Sequence, residues 1–223
     1  MISAAQAELA GSPRVVAVVG GISALGSGSG LLVSVAYLIA AQGPGSPDIL
    51  ATLASPTGRG EFVASAAAGI VGTVLFVIAI AAAANLLWRA NGFAMILATA
   101  LAVIAASAMI SLLALQYALA MTAQEGFTTT DTSFRELVVE SHSFADAAGW
   151  TAIALFAVAA LLLSWTLQRA RRWKWIWISG LALAPTWAVV HLLDAGYLFI
   201  VPFALWEVAL GGASLLTRRP LPS

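Results

Sequence analysis

Two histidines and the carboxylates beside them are the residues of this sequence best suited to chemistry. His142 precedes Asp146 by four residues and His191 precedes Asp194 by three, so each histidine shares a helical face with a carboxylate. Such pairs suit a proton-responsive site, where the carboxylate favours protonated histidine, or a divalent metal site with imidazole and oxygen ligands. Structural hydrogen bonds at a membrane rim are the third interpretation, and the spacing leaves all three open.

Glu207 is a further candidate because it lies in the middle of an apolar segment. An ionised carboxylate in hydrocarbon costs at least about 2.5–3.5 kcal/mol on insertion scales. A carboxyl inside a span is therefore a candidate functional group. The alternative is a structural role, as a protonated glutamate hydrogen-bonded to a neighbouring helix. We expect Glu207 at the floor of an outward-facing pocket whose mouth holds both histidine–carboxylate pairs, with these further lining residues: Trp187, Gln116 and Tyr117.

The composition requires that membrane-spanning helices position these residues. Of 223 residues, 61% are hydrophobic and 9% are charged, which is far from the composition of a soluble domain. Six apolar runs reach the roughly 20 residues that a span needs, and they are too long for the strands of a β-barrel. We expect one all-α transmembrane domain over residues 1–223, a polytopic helix bundle with spans at about 15–41, 62–88, 93–121, 144–167, 175–193 and 198–216.

Basic residues predict the orientation of these spans. With the N-terminus inside, eight Lys and Arg residues fall on the cytoplasmic side and only Arg59 and Arg135 fall outside, which is the asymmetry expected of short loops. Both termini are then cytoplasmic, and we expect a multi-pass protein of a cell membrane. The first span could instead be a cleaved signal peptide, although its length of about 27 residues favours a retained helix.

Short signals predict how the spans are connected. Residues 89–92 contain an Asn-Gly pair, which favours a tight turn between antiparallel neighbours. The segment 43–60 is rich in Gly and Pro, which favours an irregular loop. Ser133 and Glu136 have the spacing of a capping box and predict a short surface helix ahead of the fourth span.

Two local clusters have simple interpretations as membrane features. Gly26, Gly28 and Gly30 lie within a span and follow no strand, so these glycines, with Ser27 and Ser29, indicate close helix packing rather than a nucleotide loop. The fifth span begins with interleaved cations and indoles, typical of an anchor in the lipid headgroup layer: Arg171, Arg172, Trp173, Lys174 and Trp175. A specific lipid site is the alternative for this second cluster.

The remaining composition narrows the classes of function and partner. The chain has no cysteine, which excludes disulfides and thiolate metal sites, and its zero net charge excludes nucleic-acid binding through a basic surface. The expected partners are the lipid bilayer and a small-molecule or lipid ligand. A zinc hydrolase of the seven-helix ceramidase or receptor-hydrolase type would show three histidines, and this chain has two. A haem or pigment bound by one of these two histidines also stays open.

Three short motifs resemble those of an uncharacterised family of bacterial multi-helix integral membrane proteins, a domain of unknown function. The motifs are Ser141-His142-Ser143-Phe144, then Leu192-Leu193-Asp194 with Pro202 after it, and Trp206-Glu207 ahead of a basic tail. The resemblance runs from the second span onward and leaves out the glycine-rich first span. It implies the same helix order and draws attention to His142, Asp194 and Glu207, but the family has no activity to carry over.

These observations predict a membrane protein that binds a small polar or lipidic ligand, or a proton, in an outward-facing vestibule as a transport or sensing component. A metal-dependent membrane hydrolase, with both histidine–carboxylate pairs as metal ligands and Glu207 or a neighbouring carboxylate as general base, is the first alternative. A structural subunit of a membrane complex is the second. A role other than catalysis is favoured, and the sequence specifies neither the ligand nor the oligomeric state.

Overall fold

A computed structural model describes residues 13–42, 49–124, 132–192 and 197–216. These residues are helical apart from short junctions, and they contain no strand. The helices are α1 (Pro13–Gln42), α2 (Ile49–Ala54), α3 (Pro56–Gln124), α4 (Thr132–Arg169), α5 (Lys174–Leu192) and α6 (Tyr197–Leu216). The predicted all-α class is confirmed, and four of the described helices are long and apolar enough to cross a membrane: α1, α3, α4 and α6.

The 69-residue α3 is a hairpin of two helices joined at Asn91. Asn91 leaves helical geometry (φ −166°, ψ 78°), and its Oδ1 accepts a hydrogen bond from the Ala94 N–H at 3.3 Å, as an N-cap does. The two halves run antiparallel, because a Cβ built on Gly69 would lie 2.9 Å from a methyl carbon of Leu113, and these two residues are equally distant from Asn91 in sequence. The tight turn predicted at residues 89–92 is confirmed.

The segment expected to be an irregular loop contains helical structure, so that expectation was wrong for its described part. Ser55 separates α2 from α3 and acts as the N-cap of α3, since its Oγ accepts a hydrogen bond from the Gly58 N–H at 3.3 Å. Pro56 occupies the first helical position, where its missing N–H costs nothing. Arg59 Nη1 donates a hydrogen bond to the Leu53 carbonyl at 2.8 Å. This carbonyl lies in the last turn of α2, where the helix itself supplies no donor.

The predicted surface helix before the fourth span is the first part of α4, which runs unbroken from Thr132 to Arg169. Its Phe134 and Val138 are buried in a small apolar cluster with Phe62 and Leu119 of α3. These first turns therefore pack one face onto the hairpin and leave their other residues exposed, as expected of a surface helix, although they continue directly into the fourth span. We call this part of the molecule, with α2, the far end of the bundle.

α1 packs on two sides through small residues. On one side, a Cβ built on Gly30 would lie 3.1 Å from the Gly72 Cα of α3. On the other, a Cβ built on Gly211 of α6 would lie 2.7 Å from the Gly21 carbonyl oxygen. Gly28 contacts the backbone of α6 as well. The interpretation of the glycines as close-packing residues is confirmed.

The antiparallel packing gathers basic residues at the end of the bundle opposite α2. α1 begins there, α4 ends there, and the α3 hairpin turns there at Asn91. We call it the basic end, and it contains Arg14, Arg89, Arg169, Arg171, Arg172 and Lys174. Among the described residues, only Arg59 and Arg135 are basic and lie at the far end.

Candidate functional site

An aromatic cluster at the meeting of α3, α4 and α6 fixes the position of α6. The Phe203 ring centroid lies 5.3 Å from that of Phe76, 5.7 Å from Phe156 and 5.9 Å from Phe199. Trp206 completes the cluster at 6.1 Å from Phe203, and all five side chains are buried. Ring contacts at these distances stabilise packing beyond the area they bury, so α6 is held firmly along this face.

Glu207 follows Phe203 by one helical turn and is enclosed by the bundle, with 1% of its surface exposed. Ser27 of α1 donates a hydrogen bond from Oγ to Glu207 Oε2 at 2.6 Å. The second carboxyl oxygen, Oε1, is buried and has no hydrogen-bond partner among the described residues. Both residues lie at the midpoints of their helices, which places the pair roughly 15 Å from either end of α6 at 1.5 Å per residue.

The close crossing of α1 and α6 allows a side chain as short as serine to reach the carboxyl. Gly28, the residue after Ser27, contacts the Ala204 carbonyl oxygen across this crossing. A side chain there would push the two helices apart. Ser27 therefore has a polar partner as well as a packing role, and its interpretation as a packing residue alone was incomplete. The available sequence signal was depth, since Ser27 and Glu207 both lie in the middle of a span.

Two further hydroxyls are buried within the bundle, those of Thr73 and Ser164. Thr73 Oγ1 and Ser164 Oγ have no hydrogen-bond partner among the described residues. Thr73 follows Gly72, where an added Cβ would lie 3.0 Å from the Ser27 carbonyl oxygen. Buried polar atoms are usually satisfied, so Thr73 and Ser164, like Glu207 Oε1, are exceptions among the described residues.

The mouth of the predicted outward vestibule lies mostly outside the described residues. Asp194 belongs to a segment outside them, and so do the side chains of three residues whose backbone is helical: His142, Asp146 and His191. The proposed pairing of each histidine with its carboxylate therefore stays a prediction.

The other three predicted lining residues are described, and they differ in exposure. Trp187 is half-buried and packs against the main apolar core. Gln116 is also half-buried. Tyr117, in contrast, is 44% exposed, so much of its ring lies on the outer surface of the hairpin.

The five residues of the predicted headgroup cluster separate into two groups. Arg171, Lys174 and Trp175 are exposed, Trp175 by 79%. Arg172 and Trp173 are partly buried, and Trp173 packs against the main apolar core. One sequence pattern thus supplies an outward-facing group suited to a membrane anchor and an inward-facing pair.

The backbone between α4 and α5 explains this separation. The Arg172 N–H donates to the Leu167 carbonyl and the Arg171 N–H donates to the Gln168 carbonyl, each at 3.0 Å, which is the Schellman pattern of a helix end. Arg171 adopts the left-handed conformation that this pattern needs (φ 52°), and Trp173 is left-handed as well (φ 44°). Such positions normally favour glycine.

Arg171→Gly is expected to raise the stability of the detergent-solubilised protein by up to about 1 kcal/mol. A residue with a Cβ pays about 1–2 kcal/mol in the left-handed region, and the greater freedom of glycine in the unfolded chain offsets part of the gain. Arg171→Ala is the matched control, because it removes the same charge and keeps the Cβ. Thermal unfolding should rank Arg171→Gly above Arg171→Ala, and equal stability would contradict strain at this position.

Comparison with known proteins adds no assignment to these contacts. No protein family, no curated protein and no solved structure matches the chain. The function is therefore inferred from the described residues themselves.

Proposed function

We propose that the chain is a six-span protein of a bacterial cytoplasmic membrane with both termini on the cytoplasmic side. The four candidate spanning helices support this topology, because α3 is folded into two antiparallel halves that each have the length of a span. α5 adds 19 mostly apolar residues. The gathering of cations at the basic end supports its cytoplasmic placement, since short cytoplasmic loops retain Lys and Arg.

In this proposal the first span is a retained helix. α1 contacts both the α3 hairpin and α6 through backbone-level glycine crossings, and it supplies the only hydrogen-bond partner found for Glu207 among the described residues. Cleavage after this span would remove one wall of the bundle. The resemblance to the uncharacterised membrane family, which begins at the second span, stays a prediction beside it.

We further propose that Glu207 is the proton-binding residue of a transport or sensing protein. The observation that carries this proposal is the hydrogen bond from Ser27 Oγ to Glu207 Oε2 at 2.6 Å, with Oε1 buried and open. A carboxyl in the membrane interior is costly unless it is paired or protonated. A function explains why a carboxyl lies at the centre of this glycine-lined crossing: proton binding to Glu207 would change how α1 and α6 pack.

The outward vestibule belongs to the same proposal as the route by which a ligand or proton reaches this carboxyl. His142, Asp146, His191 and Asp194 would form its mouth, and Trp187 and Gln116 would lie along its wall. The metal-hydrolase alternative uses the same mouth residues. Metal analysis of the wild type beside a His142→Ala/His191→Ala double variant separates the two, because a bound metal lost only in the variant would favour the hydrolase.

The test of the proton site is infrared spectroscopy of the protein in liposomes across a pH series. We expect a carbonyl-stretch band of a protonated carboxyl that is lost in Glu207→Gln and moves to higher frequency in Ser27→Ala, which lacks the donor to Oε2. Glu140→Gln, which removes an exposed carboxyl of α4, is the matched control and should leave the band unchanged. Persistence of this same band, at unchanged frequency and intensity, in Glu207→Gln would overturn the proposal.

A further inference from the structure

A narrow cavity opens between four helices at the basic end. Small and aliphatic side chains line it, among them Ala24 of α1, Ala83 of α3, Leu163 of α4 and Leu210 of α6. Its free volume is about 40 Å³, which is room for a short hydrocarbon segment. Leu210 follows Glu207 by one turn, so the cavity is separate from the carboxyl but ends close to it.

The lining of this cavity favours an apolar occupant with a charged end. Among the described lining residues, Arg172 is the only charged one. Ser214 also lines the cavity, but its hydroxyl already donates to the Leu210 carbonyl at 2.9 Å. Water needs several polar partners to occupy a buried site, and apolar cavities of this kind stay dry. A hydrocarbon chain fits the walls, and an anionic group fits the guanidinium.

The turn between α4 and α5 holds Arg172 at the cavity. The Arg172 N–H is fixed to the Leu167 carbonyl at 3.0 Å, and Leu167 itself lines the cavity. Two left-handed residues, Arg171 and Trp173, flank Arg172. Trp173 also lines the cavity, whereas the cations on either side of this pair, Arg171 and Lys174, are exposed. Left-handed non-glycine residues persist where surrounding structure requires them, often at ligand sites.

We propose that this cavity binds a segment of one acyl chain of an anionic lipid, with the lipid's charged group on Arg172. The chain lies among α1, α3, α4 and α6, and the Trp173 indole lies at the level of the headgroup, as indoles do at membrane interfaces. The proposal goes beyond the proton site. It needs the basic end to face a membrane leaflet, but it does not depend on the protonation of Glu207, so the two proposals fail independently.

The experiment uses the full chain in nanodiscs and a phosphatidylglycerol that carries a photoreactive diazirine on one acyl chain. Irradiation followed by peptide mapping should place the label on residues lining the cavity, such as Ala24 or Leu163. Unlabelled phosphatidylglycerol should compete, and phosphatidylcholine should compete poorly. Competition by palmitate alone would support the acyl-chain site and assign it to a free fatty acid.

Two variants test the headgroup contact against general surface charge. Arg172→Gln and Lys174→Gln each remove one cation from the same turn, so the general attraction of anionic lipid falls equally in both. We expect labelling to fall about fivefold further in Arg172→Gln, because only this variant loses a direct contact. Ala83→Phe fills the cavity and should abolish labelling, and gel filtration checks its fold. Equal labelling in the two Gln variants or equal competition by phosphatidylcholine would overturn the proposal. Labels found only on residues outside the cavity would overturn it as well.

Discussion

Gly211→Ala is expected to destabilise the protein by about 1–3 kcal/mol, the usual cost of overpacking, whereas Gly212→Ala is expected to be tolerated. A Cβ on Gly211 would lie 2.7 Å from the Gly21 carbonyl oxygen and 2.8 Å from the Leu25 amide nitrogen. These are backbone atoms and cannot rotate away, so α1 and α6 must separate. A Cβ on Gly212 would meet nothing within 4 Å, and alanine has the higher helix propensity.

The measurement is unfolding in mixed micelles titrated with a denaturing detergent and followed by circular dichroism. The two variants make the same chemical change at adjacent positions of one helix, so their difference isolates the crossing with α1. In the folded fraction of Gly211→Ala, the infrared band of Glu207 should also shift toward that of Ser27→Ala, because the hydroxyl is drawn away from the carboxyl. Equal midpoints for the two alanine variants would mean that the helices do not cross at this distance.

Phe203→Ala is expected to be the most destabilising truncation in the aromatic cluster. Phe203 contacts Phe76, Phe156, Phe199 and Trp206, and its removal would leave a hole lined by rings on three helices. Cavities cost about 24 cal/mol per Å³, so a hole of order 100 Å³ costs about 2–3 kcal/mol. This packing loss applies in a membrane too, where contact between side chains rather than expulsion of water stabilises the bundle.

Phe93→Ala is the matched control for this truncation. Phe93 is 78% exposed, so the same substitution opens no cavity there and should change the unfolding midpoint by much less. Phe203→Leu should recover part of the loss, because leucine refills some of the volume. If both alanine variants unfold at the same detergent fraction, the cluster contributes no packing energy and the described ring contacts are wrong.

Local signals in the sequence were enough to predict the all-α class and one turn, but they missed α2. The Asn91-Gly92 pair indicates a turn wherever it lies between apolar runs, and the hairpin bends there. Pro56 was harder to interpret, because proline disrupts a helix interior but is favoured at the first helical position. The deciding contact was the cap from Ser55 to the Gly58 N–H, which depends on where the helix begins.

The candidate site was only half predictable, because its second half depends on contacts between distant residues. Glu207 is visible in the sequence as a carboxyl in an apolar run. Its partner Ser27 lies 180 residues away, and nothing within the first span distinguishes it from Ser29. The same limit applies to Arg172, which differs from Arg171 only through the backbone turn that directs one side chain inward. The histidine–carboxylate mouth stays a prediction.

The position of α1 between α3 and α6 has a consequence for how the protein is made. Ser27 leaves the ribosome 180 residues before Glu207. The face of α1 that packs on α6 therefore stays uncovered until α6 has been inserted. Until then this face and the Ser27 hydroxyl remain open to lipid or to the insertion machinery. Assembly of the bundle is therefore completed only after α6 has been synthesised. A chain that stops before α6 would keep this face of α1 exposed, where membrane chaperones and proteases could recognise it.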